Sequence, residues 1–305
     1  MKKWVIKAIV QKLISYLPNS DKINYLFQKH VTKGVILSDE YFTDRLGHGI
    51  KHINAYKQHK NAVFNSTLEI GTGWYPVVPV AMFLAGANKI VTIDITELTD
   101  TQKVITTLKM FIDYRKANKL PADITIIEER FKTIESIVNN SQSLQLKELF
   151  AELNITYLNC DARKLPFDKE SFDLIHSNNT FEHIYEPILE GILKEFKRVL
   201  SAKGLMSHFI DMSDHFAHAD HSISIYNYLK YTAQQWKRID NDVQPQNRMR
   251  ICQYRDLYKK LSITIIEENL RPGNIDEAKS IKLSPPFNQF KIEDVAVSHG
   301  YIVSA

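Results

Sequence analysis

The stretch Thr67–Ile95, TLEIGTGWYPVVPVAMFLAGANKIVTIDI, decides the fold. Leu68 and Ile70 form a short apolar run that ends in Gly71-Thr72-Gly73. Val77, Val80, Ala81 and Leu84 follow at helical spacing until Gly86. Ile90, Val91 and Ile93 then predict a second buried strand closing on Asp94. A strand–helix–strand unit of this length makes a parallel pair with a right-handed crossover. Glycines after the first strand let the backbone approach a ligand. An acid ending the second strand, 21 residues beyond Gly73, suits ribose hydroxyls.

The turn points to a nucleoside without a diphosphate rather than to a dinucleotide. The third glycine of a dinucleotide turn would stand at residue 76, which is Pro76. Proline suits a helix start but removes an N–H that could hold a pyrophosphate. Glu69, just before the glycines, would repel phosphate and attract an ammonium or sulfonium group. With Glu69, Gly71 and Gly73 matching E/D-x-G-x-G, the stretch resembles motif I of the class I S-adenosylmethionine-dependent methyltransferases. The plain alternative is a structural turn that holds no ligand. Crevices at the C-terminal ends of parallel strands are, however, where α/β sheets bind ligands.

Downstream, Ile155–Cys160 and Ser171–Ser177 read as third and fourth strands. Between them, Asp161-Ala162 opens the run D-A-x-x-L-P-F, which S-F-D-L-I follows. This is a second resemblance to the same family. It implies that Asp161 and Ala162 contact adenine; the alternative is a loop aspartate capping the next turn. Ser177-Asn178-Asn179-Thr180 resembles the segment that passes the methionine part of the cofactor, ending in Glu182-His183. The latter is a family signature without a fixed role. Together the resemblance implies S-adenosyl-L-methionine held by Glu69, Gly71, Thr72, Gly73, Tyr75, Asp94, Ile95, Asp161, Ala162 and Asn178. The implied fold is α/β and Rossmann-like: a seven-stranded, mostly parallel sheet with helices on both faces and an antiparallel last strand, plus N-terminal helices and a lid insertion.

The remaining segments extend this core. Residues 1–17 form an amphipathic pattern, with Trp4, Val5, Ala8, Ile9, Leu13 and Tyr16 on one face and Lys3, Lys7 and Gln11 on the other. It packs on the domain or on a second subunit as a homodimer, or it rests on a membrane surface. Ser20 or Asp21 would cap a mostly helical stretch over 21–60 with a turn near Gly34. Its His48 and His52 are expected on a solvated face; the alternative is that these helices cover the mouth of the cofactor site and contribute to the substrate pocket. Thr99–Lys119 reads as one long helix closed by Pro121. Two short helices around Asn139-Asn140-Ser141 make an insertion at about 121–154. After Val199, Ser201-Ala202-Lys203-Gly204 reads as a glycine stop. Leu205–Asp211 is a fifth strand, Arg250–Lys260 a helix, and Ile263–Glu267 a sixth strand; 269–290 is irregular. Val295–Ser298 and Tyr301–Val303 supply the last strand. The domains are therefore 1–60, a helical extension, and 61–305, the methyltransferase-like domain. A second insertion at about 212–250 is expected to lid the acceptor.

Composition narrows the function. The chain has 305 residues, 44% of them hydrophobic, and a net charge of +4. Without a basic run it is no dedicated nucleic-acid binder. Cys160 and Cys252 make neither a disulfide framework nor a metal knuckle, which favours a reducing, cytoplasmic setting. The richest polar cluster is Asp211, Ser213, Asp214, His215, His218, Asp220 and His221. Methyl transfer to a hydroxyl needs a base. His215 is the first candidate, oriented by Asp211 or Asp214, and His218 the second. The spacing matches no zinc signature, so no metal ligand is assigned; a divalent ion activating a sugar diol is the alternative. Aromatic residues from Tyr226 to Trp236 suit a small-molecule or saccharide acceptor, such as a sugar hydroxyl of a surface polysaccharide or natural product. Because Ser177-Asn178-Asn179-Thr180 stands where an N-P-P-Y motif would, oxygen ranks ahead of nitrogen. Transfer to a small amine, a non-catalytic binding module and a nicotinamide dehydrogenase are the competing readings.

Overall fold

The computed structural model describes residues 2–18, 23, 36–140 and 144–305. The caps expected at Ser20 or Asp21, the turn at Gly34 and the loop residue Ser141 lie outside them. Among the described residues there are seven strands: β1 Ser66–Ile70, β2 Lys89–Asp94, β3 Ile155–Asn159, β4 Phe172–Asn178, β5 Leu200–Asp211, β6 Ile265–Arg271 and β7 His299–Ser304. They form one sheet in the order β3-β2-β1-β4-β5-β7-β6, six parallel and the last antiparallel. The expected Rossmann-like topology is thus the one observed. Strand order reverses at β1, whose neighbours are β2 and β4, and this reversal opens a crevice at the strands' C-terminal ends. Register places Glu69 beside Thr92 of β2 and His176 of β4. Residues paired across parallel strands share a face, so these three side chains stand in one row.

By compactness the chain divides into two units, one of residues 36–178, 191–208 and 303–305, the other of 1–35, 179–190 and 209–302.

In the first unit, α2 (Asp39–Lys60) starts at Ser38, whose Oγ accepts from Tyr41 N at 3.1 Å. It ends at Asn61 in the left-handed region, φ 46°. Every residue of α3 (Val77–Leu84) is buried. The next helix, α4 (Thr101–Lys116), is capped by Asp100 and ends short of Pro121. The insertion contains α5 (Glu128–Asn140) and α6 (Leu146–Glu152). Their Phe131, Ile134, Leu149 and Phe150 join the core as the spacing predicts. Arg130 ties the insertion to the end of α3 by donating to the Phe83 carbonyl at 2.8 Å and to the Gly86 carbonyl at 3.1 Å. The glycine stop expected at Gly204 is absent. Helix α7 (Glu186–Val199) gives way directly to β5 at Leu200, and Gly204 lies inside that strand.

In the second unit, α1 (Lys3–Ser15), α8 (Ala233–Ile239), α9 (Ile251–Lys260), α10 (Ile275–Ser280) and α11 (Ile292–Ala296) accompany a core of Phe216, Tyr226, Tyr228, Trp236, Phe287 and Val295. Val295 and Ala296, expected in a strand, end α11, and the sixth strand begins at Ile265 rather than Ile263. Part of the stretch expected to be irregular is α10. Helix α1 is rotated from its expected pose. Trp4, Ala8, Gln11 and Ile14 face inward, while Ile9, Leu13 and Tyr16 are exposed. Two hydrogen bonds set this rotation: Trp4 N donates to Asp220 Oδ2 at 3.1 Å, and Gln11 Nε2 to Gln244 Oε1 at 3.0 Å. Fully buried Arg250 knits the unit together, donating to the carbonyls of Met212 (2.5 Å), Val295 (2.6 Å) and Val297, and to Tyr228 Oη at 3.0 Å. Among the described residues, no helix is long and apolar enough to cross a membrane.

Candidate functional site: the crevice of the first unit

Gly71 and Gly73 both adopt positive φ, 88° and 65°, a turn that side chains with a Cβ resist. The turn is tied to β2: Gly71 N donates to the Ile93 carbonyl at 2.9 Å and Gly73 N to Asp94 Oδ2 at 3.1 Å. The nearest atom to a Cβ built on Gly73 would be Tyr41 Oη at 4.0 Å, so room is open above the turn. Pro76 sits at the N-cap of α3, with no N–H to offer a phosphate. Two acids and an open glycine turn suit a cationic nucleoside. Ile95, just past Asp94, is 79% exposed.

Glu69 is buried, and Thr92 Oγ1 donates to its Oε2 at 2.8 Å. Thr92 also bonds Thr72 Oγ1 at 2.6 Å, linking the acid to the turn. Burial pushes the Glu69 carboxyl up to about 8. Burial likewise raises Asp94, against the pull of the Gly73, Thr96 and Ile95 amides. Asp161 is differently placed. It is partly exposed, and Arg163 grips it, Nε lying 2.9 Å from Oδ2. Arg163 N also donates to Asp161 Oδ1 at 2.9 Å, and these bonds lower its carboxyl. Asp161 thus caps its own turn, and the neighbouring Ala162 is buried.

Asn178 ends β4, and its Oδ1 lies 2.8 Å from His52 Nε2. His52 is fully buried, and burial lowers its pKa to about 3, so the ring is neutral. Because Oδ1 only accepts, Nε2 carries the proton. Nδ1 then accepts from Ser207 Oγ at 2.7 Å. His176 stacks on His52, with ring centroids 5.2 Å apart. The solvated face expected for His48 and His52 is therefore not found; both are buried, and His48 Nε2 is 3.5 Å from Asp44 Oδ2. Tyr41, Arg45, His48 and His52 recur at helical spacing and give α2 a polar stripe. Arg45 lies close enough to Glu69 to oppose the rise of its carboxyl. Tyr41 meets Tyr75 edge-on at 6.0 Å. The signal was the i, i+4, i+7, i+11 spacing, which charge alone disguised as a surface pattern.

Candidate functional site: the histidine cluster of the second unit

Asp211 is the hub of the polar cluster. Its Oδ2 is 3.3 Å from His215 Nε2, and its Oδ1 is 3.2 Å from His299 Nε2. Burial pushes its carboxyl up, but the His215 and His299 rings beside it outweigh burial and hold it well below the ordinary range. His218 is exposed; it lies 3.9 Å from Asp211 Oδ2, and its Nε2 is 3.0 Å from Ser213 Oγ. Burial and the neighbouring His215 lower its pKa. Asp214 faces the other way. Its Oδ1 accepts from Phe216 N at 2.8 Å and its Oδ2 from Asn227 Nδ2 at 3.2 Å. Burial raises it to about 6. Of the two acids considered for His215, Asp211 has the geometry and Asp214 braces the loop. His299, on the final strand, escaped sequence reading because 84 residues separate it from His215.

Glu182 and His183 lie on the 3-10 turn Phe181–His183. His183 Nδ1 is 2.7 Å from the Pro245 carbonyl, and its ring meets that of His215 edge-on at 4.9 Å.

A family model described as a methyltransferase domain matches residues 68–207. No curated protein matches the chain. Many solved structures are similar, among them the following three. The Burkholderia thailandensis 1,6-didemethyltoxoflavin-N1-methyltransferase, solved with 1,6-didemethyltoxoflavin and S-adenosylhomocysteine, is 9% identical, TM-score 0.46, over 93% of this chain and 85% of that one. A Pyrococcus horikoshii protein is 13% identical, TM-score 0.44, over 91% and 97%. A Haloferax volcanii chain solved with the Trm112 methyltransferase activator is 13% identical, TM-score 0.42, over 88% and 94%.

Proposed function

We propose, from the premise that this chain belongs to the class I S-adenosylmethionine-dependent methyltransferases, that it methylates an oxygen of a polyhydroxyl acceptor such as a sugar. The bound cofactor supplies an electrophilic sulfonium methyl. Transfer of that methyl to an acceptor oxygen would break the C–S bond and leave its electron pair on sulfur. The products are a methyl ether and S-adenosylhomocysteine. The protein's part is to hold donor and acceptor in line and to take the acceptor's proton. Glu69 would face the cofactor's positive charge, Asp94 would hold its ribose and Asp161 its adenine.

The observation that supports an oxygen acceptor is the Asp211–His215 pair at 3.3 Å. An acid that orients a neutral imidazole and stabilises the imidazolium formed on proton transfer is what removal of a hydroxyl proton needs. An amine acceptor requires no such base. The proton goes to His215, or to His218 on the same carboxylate. The test is a screen of sugar and amine acceptors with S-adenosylmethionine, read as S-adenosylhomocysteine formed and the methylated atom identified. Methylation of nitrogen alone would refute the oxygen reading. In calorimetry, no heat with S-adenosylmethionine would refute the enzyme itself.

The exposed face of α1 supports a surface-bound acceptor. Ile6, Ile9, Leu13 and Tyr16 are 46%, 47%, 62% and 74% exposed. They follow one another at helical spacing, with exposed lysines at 2 and 3. Such a face suits an anionic membrane. Co-sedimentation with anionic but not neutral vesicles, lost in Leu13→Glu, is the expected result.

A further inference from the structure

Glu182, His183 and His215 each offer one ligand atom, and these atoms lie within 4.8 Å of one another. The residues come from two places in the chain, the 3-10 turn before α7 and the loop after β5. A single tripeptide, Pro245-Gln246-Asn247, holds both. Asn247 Nδ2 donates to the carbonyls of Phe181 at 2.7 Å and Ile184 at 2.8 Å, clamping the turn that carries Glu182 and His183. Gln246 Nε2 donates to the Ser213 carbonyl at 3.2 Å, fixing the loop that carries His215. Trp236 Nε1 and Asp240 Oδ1 in turn hold the Gln246 backbone, at 3.1 Å each. The three side chains therefore stand on braced segments.

The outer contacts are those of metal-binding imidazoles. A ring that gives its Nδ1–H to a carbonyl, as His183 does to Pro245, keeps a lone pair on Nε2. Ring nitrogens anchored on a carbonyl or carboxylate are the usual surroundings of ligating histidines. His215 is anchored on Asp211, which Ser213 N and His299 hold in turn. Glu182 is 3% exposed. Ionising a carboxylate at such depth is costly, and a cation beside it lowers the cost.

We infer that Glu182, His183 and His215 hold a divalent first-row transition metal. Two imidazoles favour zinc, iron or cobalt over the all-oxygen sites of magnesium and calcium. Three protein ligands leave positions open for an acceptor hydroxyl, whose proton the cation makes easier to remove. This role rests on the oxygen-methylating reading above. With His215 a ligand, the proton goes to His218, whose ring stacks 5.3 Å from that of His215.

The test uses the full chain, treated with chelator and then titrated with Zn²⁺ by calorimetry and with Co²⁺ by visible absorption, without cofactor or acceptor. The expected result is one equivalent bound and a Co²⁺ d–d band stronger than that of the aqueous ion. Glu182→Gln and His183→Gln each weaken binding at least about a hundredfold, and Asp211→Asn about tenfold. His218→Gln leaves it unchanged. Heat with S-adenosylmethionine reports that each variant is folded. No band in the wild type, or a band that survives Glu182→Gln and His183→Gln together, overturns the site. If a variant fails to fold, the wild-type band decides by itself. Absence of S-adenosylmethionine heat in the wild type would instead refute the enzyme reading and leave the cation site standing.

Discussion

Replacing Glu69 by glutamine should stabilise the protein, and increasingly so as pH rises. Glu69 is 3% exposed, and burial lifts its carboxyl from an ordinary 4.5 to about 8. The folded chain therefore binds this proton more tightly than the unfolded chain does. For an acid raised in this way, stability is complete below 4.5 and is lost progressively as pH climbs to about 8. At ~1.4 kcal/mol for each tenfold, the full loss is about 5 kcal/mol above that window and about 3 kcal/mol at pH 7. Glutamine has the same shape and no charge. Its carbonyl can still accept from Thr92, and its amide can point toward His176, whose Nδ1 is 3.9 Å from Glu69 Oε1. Urea unfolding of both proteins from about pH 5 to about pH 9 measures the difference directly. Other titrating groups are common to both and cancel. The variant should match the wild type at the acid end and exceed it by about 3 kcal/mol near neutrality. Parallel curves, or a variant weaker at every pH, would refute the buried-acid account. The gain should come with a loss of binding. A cationic cofactor draws the proton from Glu69, so wild-type binding near neutrality should release a proton to buffer, seen as heat that varies with buffer ionisation enthalpy. Glu69→Gln should bind more weakly and release none.

Three further outcomes are expected. Asp211→Asn should lower turnover about a hundredfold or more with cofactor affinity kept, whereas Asp214→Asn should keep turnover, since Asp214 braces the loop; steady-state rates beside calorimetric affinity separate them. Asp161→Ala should weaken cofactor binding about tenfold, or ~1.4 kcal/mol, and free Arg163; unchanged affinity would reduce Asp161 to a turn cap. Arg250→Met should cost about 3 kcal/mol or more by stranding the carbonyls of Met212, Val295 and Val297, read as a lower urea midpoint.

The core of the fold was legible because its signals are local. Thr67–Ile95 carries its own period, turn and acid, and the strands at 155–160 and 171–177 carry theirs. Boundaries failed where tertiary bonds override local preference. Gly204 looked like a helix stop, yet β5 runs through it. Val295 and Val297 have strand propensity, but the short helix there places their backbone carbonyls at buried Arg250. The site was legible where chemistry follows the glycine turn and illegible where it is assembled from afar. Asp94 could be named from spacing; His299 could not be linked to Asp211 by any local pattern. His48 and His52 misled because a polar helical stripe looks alike whether it meets water or other polar side chains. Only the fold reveals that Asn178 and Ser207 face His52.

Helix α1 is held by residues that lie far along the chain. Trp4 bonds Asp220, 216 positions later, and Lys12 Nζ reaches the Asp240 carbonyl at 2.6 Å. During synthesis at roughly 5–20 residues per second, α1 waits on the order of ten seconds or more for its partners. For that interval Trp4, Ala8 and Ile14 have nothing to pack on, and they add to the apolar face that stays open afterwards. A helix made well before its partners is thus among the last to dock. Slow translation or scarce chaperones should tell first on this helix, through aggregation of nascent chains long before any catalytic residue is compromised.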